Sequence, residues 1–174
     1  NWSELNKEDI VIVPAFGTTL EIQSRLNEIG IDPYAFDTTC PFVEKVWNRA
    51  GQIGENGYSV IVHGKPNHEE TSATFSHSFS KTQTLIIRDI KQAENLAAYI
   101  KGEKPFELFK NEFKGQFSEG FNPEKDLIKI GVVNQTTMLA SETQAISEYL
   151  KDTIKEYRNL NDSSITEYFA NTKD

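Results

Sequence analysis

Residues 58–75 read YSVIVHGKPNHEETSATF, an apolar run followed by a polar turn and then by a helical pattern. The run Tyr58–Val62 shows no alternation of apolar and polar residues, which is typical of a strand that is buried on both faces. Strands of this kind occur in parallel sheets that are covered by helices. We therefore expect residues 58–75 to form one strand, turn and helix of such a sheet.

The same layout occurs on both sides of this stretch, in IVIVPAFGTTLEIQSRL (10–26) and in IGVVNQTTMLASETQAI (130–146). Strands are predicted at Ile10–Val13, Tyr58–Val62, Leu85–Ile87 and Ile128–Val133, with a shorter one at Ala35–Thr38, and helices at Thr19–Ile29, Pro41–Asn56, Ile90–Ile100 and Glu142–Tyr157. Alternating strands and helices predict the α/β class, with a mostly parallel sheet flanked by helices.

Residues 102–126 interrupt this alternation. Five phenylalanines recur there at intervals of three or four residues, namely Phe106, Phe109, Phe113, Phe117 and Phe121. That spacing predicts one face of a helix, and an aromatic stripe of this kind usually packs against a core. We expect an insertion that docks on the sheet.

Composition excludes several classes of protein. The net charge of −8 argues against a nucleic-acid partner, because phosphates require a basic surface. No apolar run approaches the roughly 18 residues that a membrane span needs, so we expect no membrane partner. Cys40 is the single cysteine, which excludes an internal disulfide and favours a reducing, cytoplasmic location.

Polar residues follow several of the predicted strands. They are Gly17, Thr18 and Thr19; Thr39 and Cys40; Asn67, His68, Glu69 and Glu70; and Asn134, Gln135, Thr136 and Thr137. The carboxyl ends of parallel strands meet at one edge of a sheet, and helix N-termini at that edge attract anions. The pattern predicts a site for an anionic small molecule, although each of these residues could instead only cap a helix.

The sequence DTTCP (37–41) is the most specific of these junctions. Pro41 suits the first position of a helix, which places Cys40 at the N-cap. A helix N-terminus favours the thiolate, the form of cysteine that binds metal or attacks a substrate. A lone cysteine can also be a small buried apolar residue. His68 could bind an anion and Glu70 could move a proton. Alternatively, both residues merely lie at the start of a helix.

Three blocks of the sequence resemble one family in order and spacing. DTTCPFVEKVWN (37–48), IVHGKPNHEETSAT (61–74) and GVVNQTTMLASET (131–143) are similar to blocks of the LytB-type 4-hydroxy-3-methylbut-2-enyl diphosphate reductases. VPAFGTT (13–19) and SEGFNPEKDLIKIG (118–131) resemble the longer form found in plants and cyanobacteria. Phe16 stands where many members of the family have His, and the longer form shares this Phe.

The resemblance implies three α/β lobes around a pseudo-threefold axis, with a central [4Fe–4S] cluster to which each lobe donates one cysteine. Residues 1–36 would then end the first lobe and residues 37–158 would form the central lobe, with the Phe-rich insertion at 102–126. Residues 159–174 would be a linker toward the third lobe. The cluster would need two further cysteines from outside this chain, so the chain alone is expected to be inactive.

The resemblance also implies a role for each candidate residue. Cys40 would be a cluster ligand, and His68 would bind the substrate diphosphate. Glu70 would relay a proton to the departing hydroxyl, and Thr136 would lie beside the substrate alcohol. The family converts its substrate to isopentenyl and dimethylallyl diphosphate, with electrons from ferredoxin or flavodoxin.

Two other hypotheses follow from the residues alone. One is a self-sufficient thiol enzyme that uses Cys40 with His68. The other is a stand-alone α/β module that binds anions at its helix N-termini without catalysis.

Overall fold

The computed structural model describes residues 2–170, and within them three parallel strands form one sheet in the order β2–β1–β3. The strands are β1 (Ser59–His63), β2 (Thr84–Ile87) and β3 (Ile130–Asn134). β1 is central and buried along its whole length, which explains its continuous apolar sequence. The predicted parallel sheet with flanking helices is confirmed.

Helices connect and cover the strands. They are α1 (Leu20–Ile29), α2 (Pro41–Glu55), α3 (Glu69–Phe79), α4 (Ile90–Ile100), the short α5 (Phe109–Glu112) and α6 (Pro123–Asp126), and α7 (Ala140–Tyr157). Short 3-10 helices span Trp2–Glu4, Phe106–Leu108 and Ser164–Glu167. Among residues 2–170, no helix combines the length and the apolar composition that a membrane span requires.

The two faces of the sheet carry separate cores. Ile61 of β1 packs in a core that includes residues of α4 and α7, such as Leu96 and Leu150. Its neighbours Val60 and Val62 face the opposite way, toward residues of α2 and α3. This division follows from the alternation of side chains along a strand.

The Phe-rich insertion docks on the core, as predicted, but the predicted helical face is wrong. Phe109, Phe113 and Phe121 are buried in the core beside α4 and α7, although they do not lie on one continuous helix. Helix α5 ends at Glu112, and Gly115 and Gly120 then adopt left-handed backbone conformations with φ of 75° and 79°, which a continuous right-handed helix does not allow. The rings therefore converge by tertiary folding and not by helical periodicity.

The insertion also covers the outer edge of β2. The backbone N–H of Ile86 donates to the Gln116 carbonyl, and that of Ser118 donates to the Thr84 carbonyl at 2.9 Å. An unpaired strand edge invites aggregation, so this cover has a protective role.

The predicted strands Ile10–Val13 and Ala35–Thr38 are wrong. A single parallel bridge joins Val13 to Asp37, and neither segment extends it into a strand. Ile10 and Ile12 are 70% and 66% exposed. An apolar run becomes a buried strand only beside neighbouring strands, and none of the described residues supplies them here.

The described part of the C-terminal segment packs against β3. Ile165 and Phe169 are buried, and Phe169 forms a parallel bridge with Ile130. Residues 171–174 lie outside the described residues, and the linker assigned to 159–174 stays a prediction.

Candidate active site

The loops that follow β1 and β3 lie side by side at one edge of the sheet. His63 is the register partner of Asn134 where the two strands end. The His63 carbonyl accepts a hydrogen bond from the backbone N–H of Gln135 at 2.8 Å. The polar residues of 64–70 and of 134–137 are therefore neighbours, as the parallel topology predicted.

His68 is the N-cap of α3. Its Nδ1 atom accepts a hydrogen bond from the backbone N–H of Glu70 at 3.2 Å. A ring nitrogen that accepts a hydrogen bond carries no proton, so in the neutral ring the proton lies on Nε2. The cap therefore leaves Nε2–H as a donor at a helix N-terminus, where an anion is favoured.

Glu70 lies in the first turn of α3 and is 3% exposed. Its Oε1 atom accepts a hydrogen bond from the backbone N–H of Thr136 at 2.5 Å. Within residues 2–170, Oε2 of Glu70 and the hydroxyl of Thr136 have no hydrogen-bond partner, and Thr136 is exposed. The structure thus brings His68, Glu70 and Thr136 together around the first turn of α3.

Gln135 and Thr71 support this arrangement from the protein interior. Gln135 is 1% exposed, and its side-chain oxygen accepts from the Thr71 hydroxyl at 3.0 Å and from the Lys65 backbone N–H at 3.2 Å. Its Nε2 atom donates to the Thr137 hydroxyl at 2.8 Å. Gln135 is among the polar residues predicted at the strand ends, whereas Thr71 and this network were not predicted. No sequence signal marked it, because burial of a polar side chain is a tertiary property.

Cys40 is the N-cap of α2, with Pro41 at the first helical position, as predicted. The residue is partly exposed, and its side chain makes no capping hydrogen bond. Its backbone N–H donates to the Ala15 carbonyl at 2.8 Å. Pro41 and Asn134 line one cavity of about 400 Å³ between α2 and β3, so Cys40 lies near the edge where β3 ends.

No hydrogen bond joins Cys40 to His68, Glu70 or Thr136 within residues 2–170. The thiol enzyme that would pair Cys40 with His68 is therefore not favoured by the geometry. His68 instead uses Nδ1 to cap α3.

The loop 14–19 is held against α2 and α3 beside Cys40. The rings of Trp47 and His77 are stacked with centroids 3.8 Å apart, and His77 Nε2 lies 3.2 Å from the Thr18 carbonyl, to which it donates. Burial lowers the pKa of His77, although the hydrogen bond to the Thr18 carbonyl and the charge of Asp37 oppose the shift. Gly17 passes over the Trp47 ring with a φ of 77°.

No group of three or more His, Cys, Asp or Glu that could hold a metal ion occurs within residues 2–170. Cys40 offers a partly exposed side chain without a capping hydrogen bond, which fits one ligand position of a larger centre.

Comparison with known proteins identifies relatives over most of the chain. A protein from Synechococcus sp. (strain RCC307), named 4-hydroxy-3-methylbut-2-enyl diphosphate reductase, is 43% identical over 88% of this chain and 37% of its own length. A protein of the same name from Prochlorococcus marinus (strain MIT 9211) is 40% identical over 97% of this chain and 40% of its own length. A chloroplastic one from Botryococcus braunii is 40% identical over 88% of this chain and 30% of its own. These cyanobacterial and algal relatives agree with the resemblance to the longer form.

Two solved structures share the fold. A structure of (E)-4-hydroxy-3-methyl-but-2-enyl diphosphate reductase matches 87% of this chain and 44% of its own, with a TM-score of 0.63 and 20% identity. The Plasmodium falciparum reductase structure matches 92% of this chain and 40% of its own, with a TM-score of 0.60 and 19% identity.

The chain spans less than half the length of these relatives. The family model described as LytB protein matches residues 2–166. Since this match includes nearly all of the chain, the chain belongs to the LytB protein family.

Proposed function

We propose that this chain is part of a 4-hydroxy-3-methylbut-2-enyl diphosphate reductase, an oxidoreductase of isoprenoid biosynthesis. Residues 37–158 would form its central lobe, residues 1–36 the end of the preceding lobe and residues 159–174 a connection to the next. Family membership and relatives of about 40% identity that carry this name support the proposal. The observation that carries it is the buried Glu70 carboxyl, which is bonded to the Thr136 turn beside the His68 cap.

The substrate diphosphate would bind at the N-terminus of α3. There His68 Nε2–H and the helix dipole both favour a negative group. A charge-assisted hydrogen bond from an imidazole to a phosphate oxygen is stronger than a neutral one. The His68 cap supports this role because it holds the ring with Nε2–H free to donate.

The carboxyl of Glu70 would transfer a proton to the departing hydroxyl. Oε1 is held by the Thr136 N–H, and Oε2 is the atom left to carry the proton. The exposed Thr136 hydroxyl would position the substrate alcohol next to this carboxyl. The hydroxyl leaves as water, and the allylic group takes up two electrons and one further proton to give isopentenyl or dimethylallyl diphosphate.

Cys40 would hold one iron of a [4Fe–4S] cluster, with the other cysteine ligands supplied from outside this chain. When bound, the cluster would supply the two electrons that the reaction needs, received from ferredoxin or flavodoxin. The position of Cys40 at a helix N-terminus supports the role because it favours the thiolate that binds iron. The single cysteine also supports a reducing, cytoplasmic location.

Anaerobic reconstitution of the full-length protein with iron and sulfide tests the proposal. We expect a brown protein that consumes the diphosphate substrate when reduced ferredoxin or flavodoxin is present. The Cys40→Ser variant is expected to lose both colour and turnover, whereas Glu70→Gln is the matched control that keeps the colour and loses turnover. A full-length protein that stays colourless and leaves the substrate unchanged would contradict the proposal.

Anion binding without catalysis predicts a different outcome. The full-length protein would then bind inorganic diphosphate in calorimetry with the same affinity before and after Cys40→Ser, and it would turn over no substrate.

A further inference from the structure

Two hydrogen bonds run in parallel between the first turn of α3 and the turn after β3. The Glu70 carboxyl accepts from the Thr136 N–H, and the Thr71 hydroxyl donates to the side-chain oxygen of Gln135. The two hydrogen bonds start from adjacent residues of the helix and end on adjacent residues of the loop. Together they therefore restrict both the rotation of the loop relative to the helix and its separation from the helix. A single hydrogen bond would restrict separation alone.

The inner link is buried from solvent, and its polar atoms are already used in hydrogen bonds within the protein. Thr71 is 0% exposed and Gln135 is 1% exposed. A buried side-chain amide must satisfy its polar atoms inside the protein, and Gln135 does so with Thr71, the Lys65 N–H and Thr137. This amide therefore joins the loop after β1, the start of α3 and the loop after β3.

The chain makes room for the link at Gly64. A Cβ atom at Gly64 would lie 2.6 Å from the Thr71 hydroxyl oxygen and 3.2 Å from the Gln135 Cβ. Any larger residue at position 64 would separate Thr71 from Gln135. A glycine is thus required here by close approach, not by its backbone angles.

We infer that Thr71, acting through Gln135, is a positioning residue that holds the Glu70 carboxyl in register with the Thr136 turn. This inference rests on the proposed function, since it assigns the link a role in proton delivery by Glu70. Positioning matters because a displacement of about 1 Å at a reacting group can lower a rate about a hundredfold. A purely structural link would stabilise the fold without affecting that rate.

The full-length enzyme offers a matched pair of variants on α3. Thr71→Val keeps the shape of the side chain but removes the hydroxyl that bonds to Gln135. Thr74→Val removes an equally buried hydroxyl on the same helix, one that accepts from Trp47 Nε1 at 3.2 Å and is not among the hydrogen-bond partners of Gln135 in residues 2–170. Both variants lose one buried hydrogen bond, so they should lose similar stability.

We expect Thr71→Val to lower kcat about ten- to a hundredfold with little change in KM, because the bound substrate still meets His68. Thr71→Ser keeps the donor and should restore kcat to within about threefold of wild type. Gly64→Ala should lower kcat in the same way as Thr71→Val. Thr74→Val should keep the kcat of the wild type.

Hydrogen exchange at the Thr136 amide provides a readout that needs no substrate. We expect it to be about tenfold faster in Thr71→Val than in Thr74→Val, because the register of the Thr136 turn is lost only in the former. If the wild type turns over substrate, equal kcat values for the two variants would overturn the inference, and equal exchange rates would overturn it in either case. The wild-type protein could lack turnover while exchange at the Thr136 amide is still faster in Thr71→Val. That result would refute the proposed function and leave the positioning role supported.

Discussion

The carboxyl of Glu70, in the first turn of α3, accepts the backbone N–H of Thr136, which lies 66 residues later in the chain. The bond occupies one oxygen of a nearly buried carboxyl and leaves the other free among the described residues. A structural role and a chemical role are therefore divided between the two oxygens of one side chain, and substitutions can separate them.

Glu70→Gln should keep the fold and abolish proton delivery. The glutamine oxygen can still accept the Thr136 N–H, but its amide cannot donate an acidic proton. We expect the full-length enzyme to lose turnover by about a hundredfold or more. Glu70→Ala should in addition leave the Thr136 N–H unbonded and lower the free energy of unfolding by about 1–3 kcal/mol. Urea unfolding and steady-state turnover together measure both effects, and a Gln variant of wild-type activity would exclude Glu70 as the acid.

His68→Asn should separate the cap from the anion site. Asparagine is a good N-cap, so the stability of α3 should be nearly unchanged, whereas loss of the imidazole Nε2–H should raise KM for the diphosphate about tenfold. His68→Ala loses the cap as well and should lower the free energy of unfolding by about 1 kcal/mol. An Asn variant with an unchanged KM would show that the diphosphate binds elsewhere.

Gly17→Ala should destabilise the chain more than Gly57→Ala. Both glycines have left-handed backbone angles, with φ of 77° and 80°, so alanine should cost about 1–2 kcal/mol of unfolding free energy at either position. A Cβ at Gly17 would lie 2.4 Å from the Trp47 ring, whereas a Cβ at Gly57 would meet no atom within 4 Å. We expect about 1–3 kcal/mol more loss at Gly17 from overpacking. Equal losses in urea unfolding would mean that the loop moves away from Trp47 without cost.

Phe113→Ala should show that the insertion is part of the core. Phe113 is 0% exposed, and its ring is stacked on that of Phe109 with centroids 4.8 Å apart. We expect a loss of about 3–5 kcal/mol in the free energy of unfolding. Phe42→Ala is the control, because Phe42 is 73% exposed and its truncation should change stability by about 0.5 kcal/mol or less. Similar results for the two variants would contradict the docking of the insertion.

Acidification should weaken the fold through His77. Burial lowers the pKa of His77 below its ordinary value, so the unfolded chain binds a proton at a pH where the folded chain does not. Stability is therefore complete above the unfolded pKa of about 6.5 and falls as the pH drops through the window between the two values. The pKa of His63 is lowered by burial in the same direction, so His77→Gln should reduce this pH dependence without abolishing it.

Thermal unfolding at about pH 7.5 and about pH 5 measures this effect in wild type and in His77→Gln. We expect the difference in Tm between the two pH values to be smaller in the variant. The same difference in both proteins would mean that His77 titrates alike in the folded and unfolded chains.

Local chain chemistry was enough to predict much of the fold. The limits of α4 were predicted residue for residue, and those of α2 to within one residue. Proline favours the first position of a helix, and this preference does not depend on residues elsewhere in the chain. The residue before Pro41, Cys40, was therefore predicted correctly as the N-cap. The same local logic failed for Ile10–Val13, because an apolar run does not reveal whether a partner strand lies beside it.

The amino-acid sequence by itself determined the α/β class, the position of Cys40 at a helix N-cap and the membership of the LytB family, since these depend on short-range patterns and ordered motifs. Only the tertiary structure decided which oxygen of Glu70 is occupied, that Thr71 meets Gln135 across 64 residues of chain, and that the Phe-rich insertion closes the edge of β2. The physical reason is that such contacts depend on how the parallel strands align and how the loops beyond them close, and neither is encoded in the periodicity of any one segment.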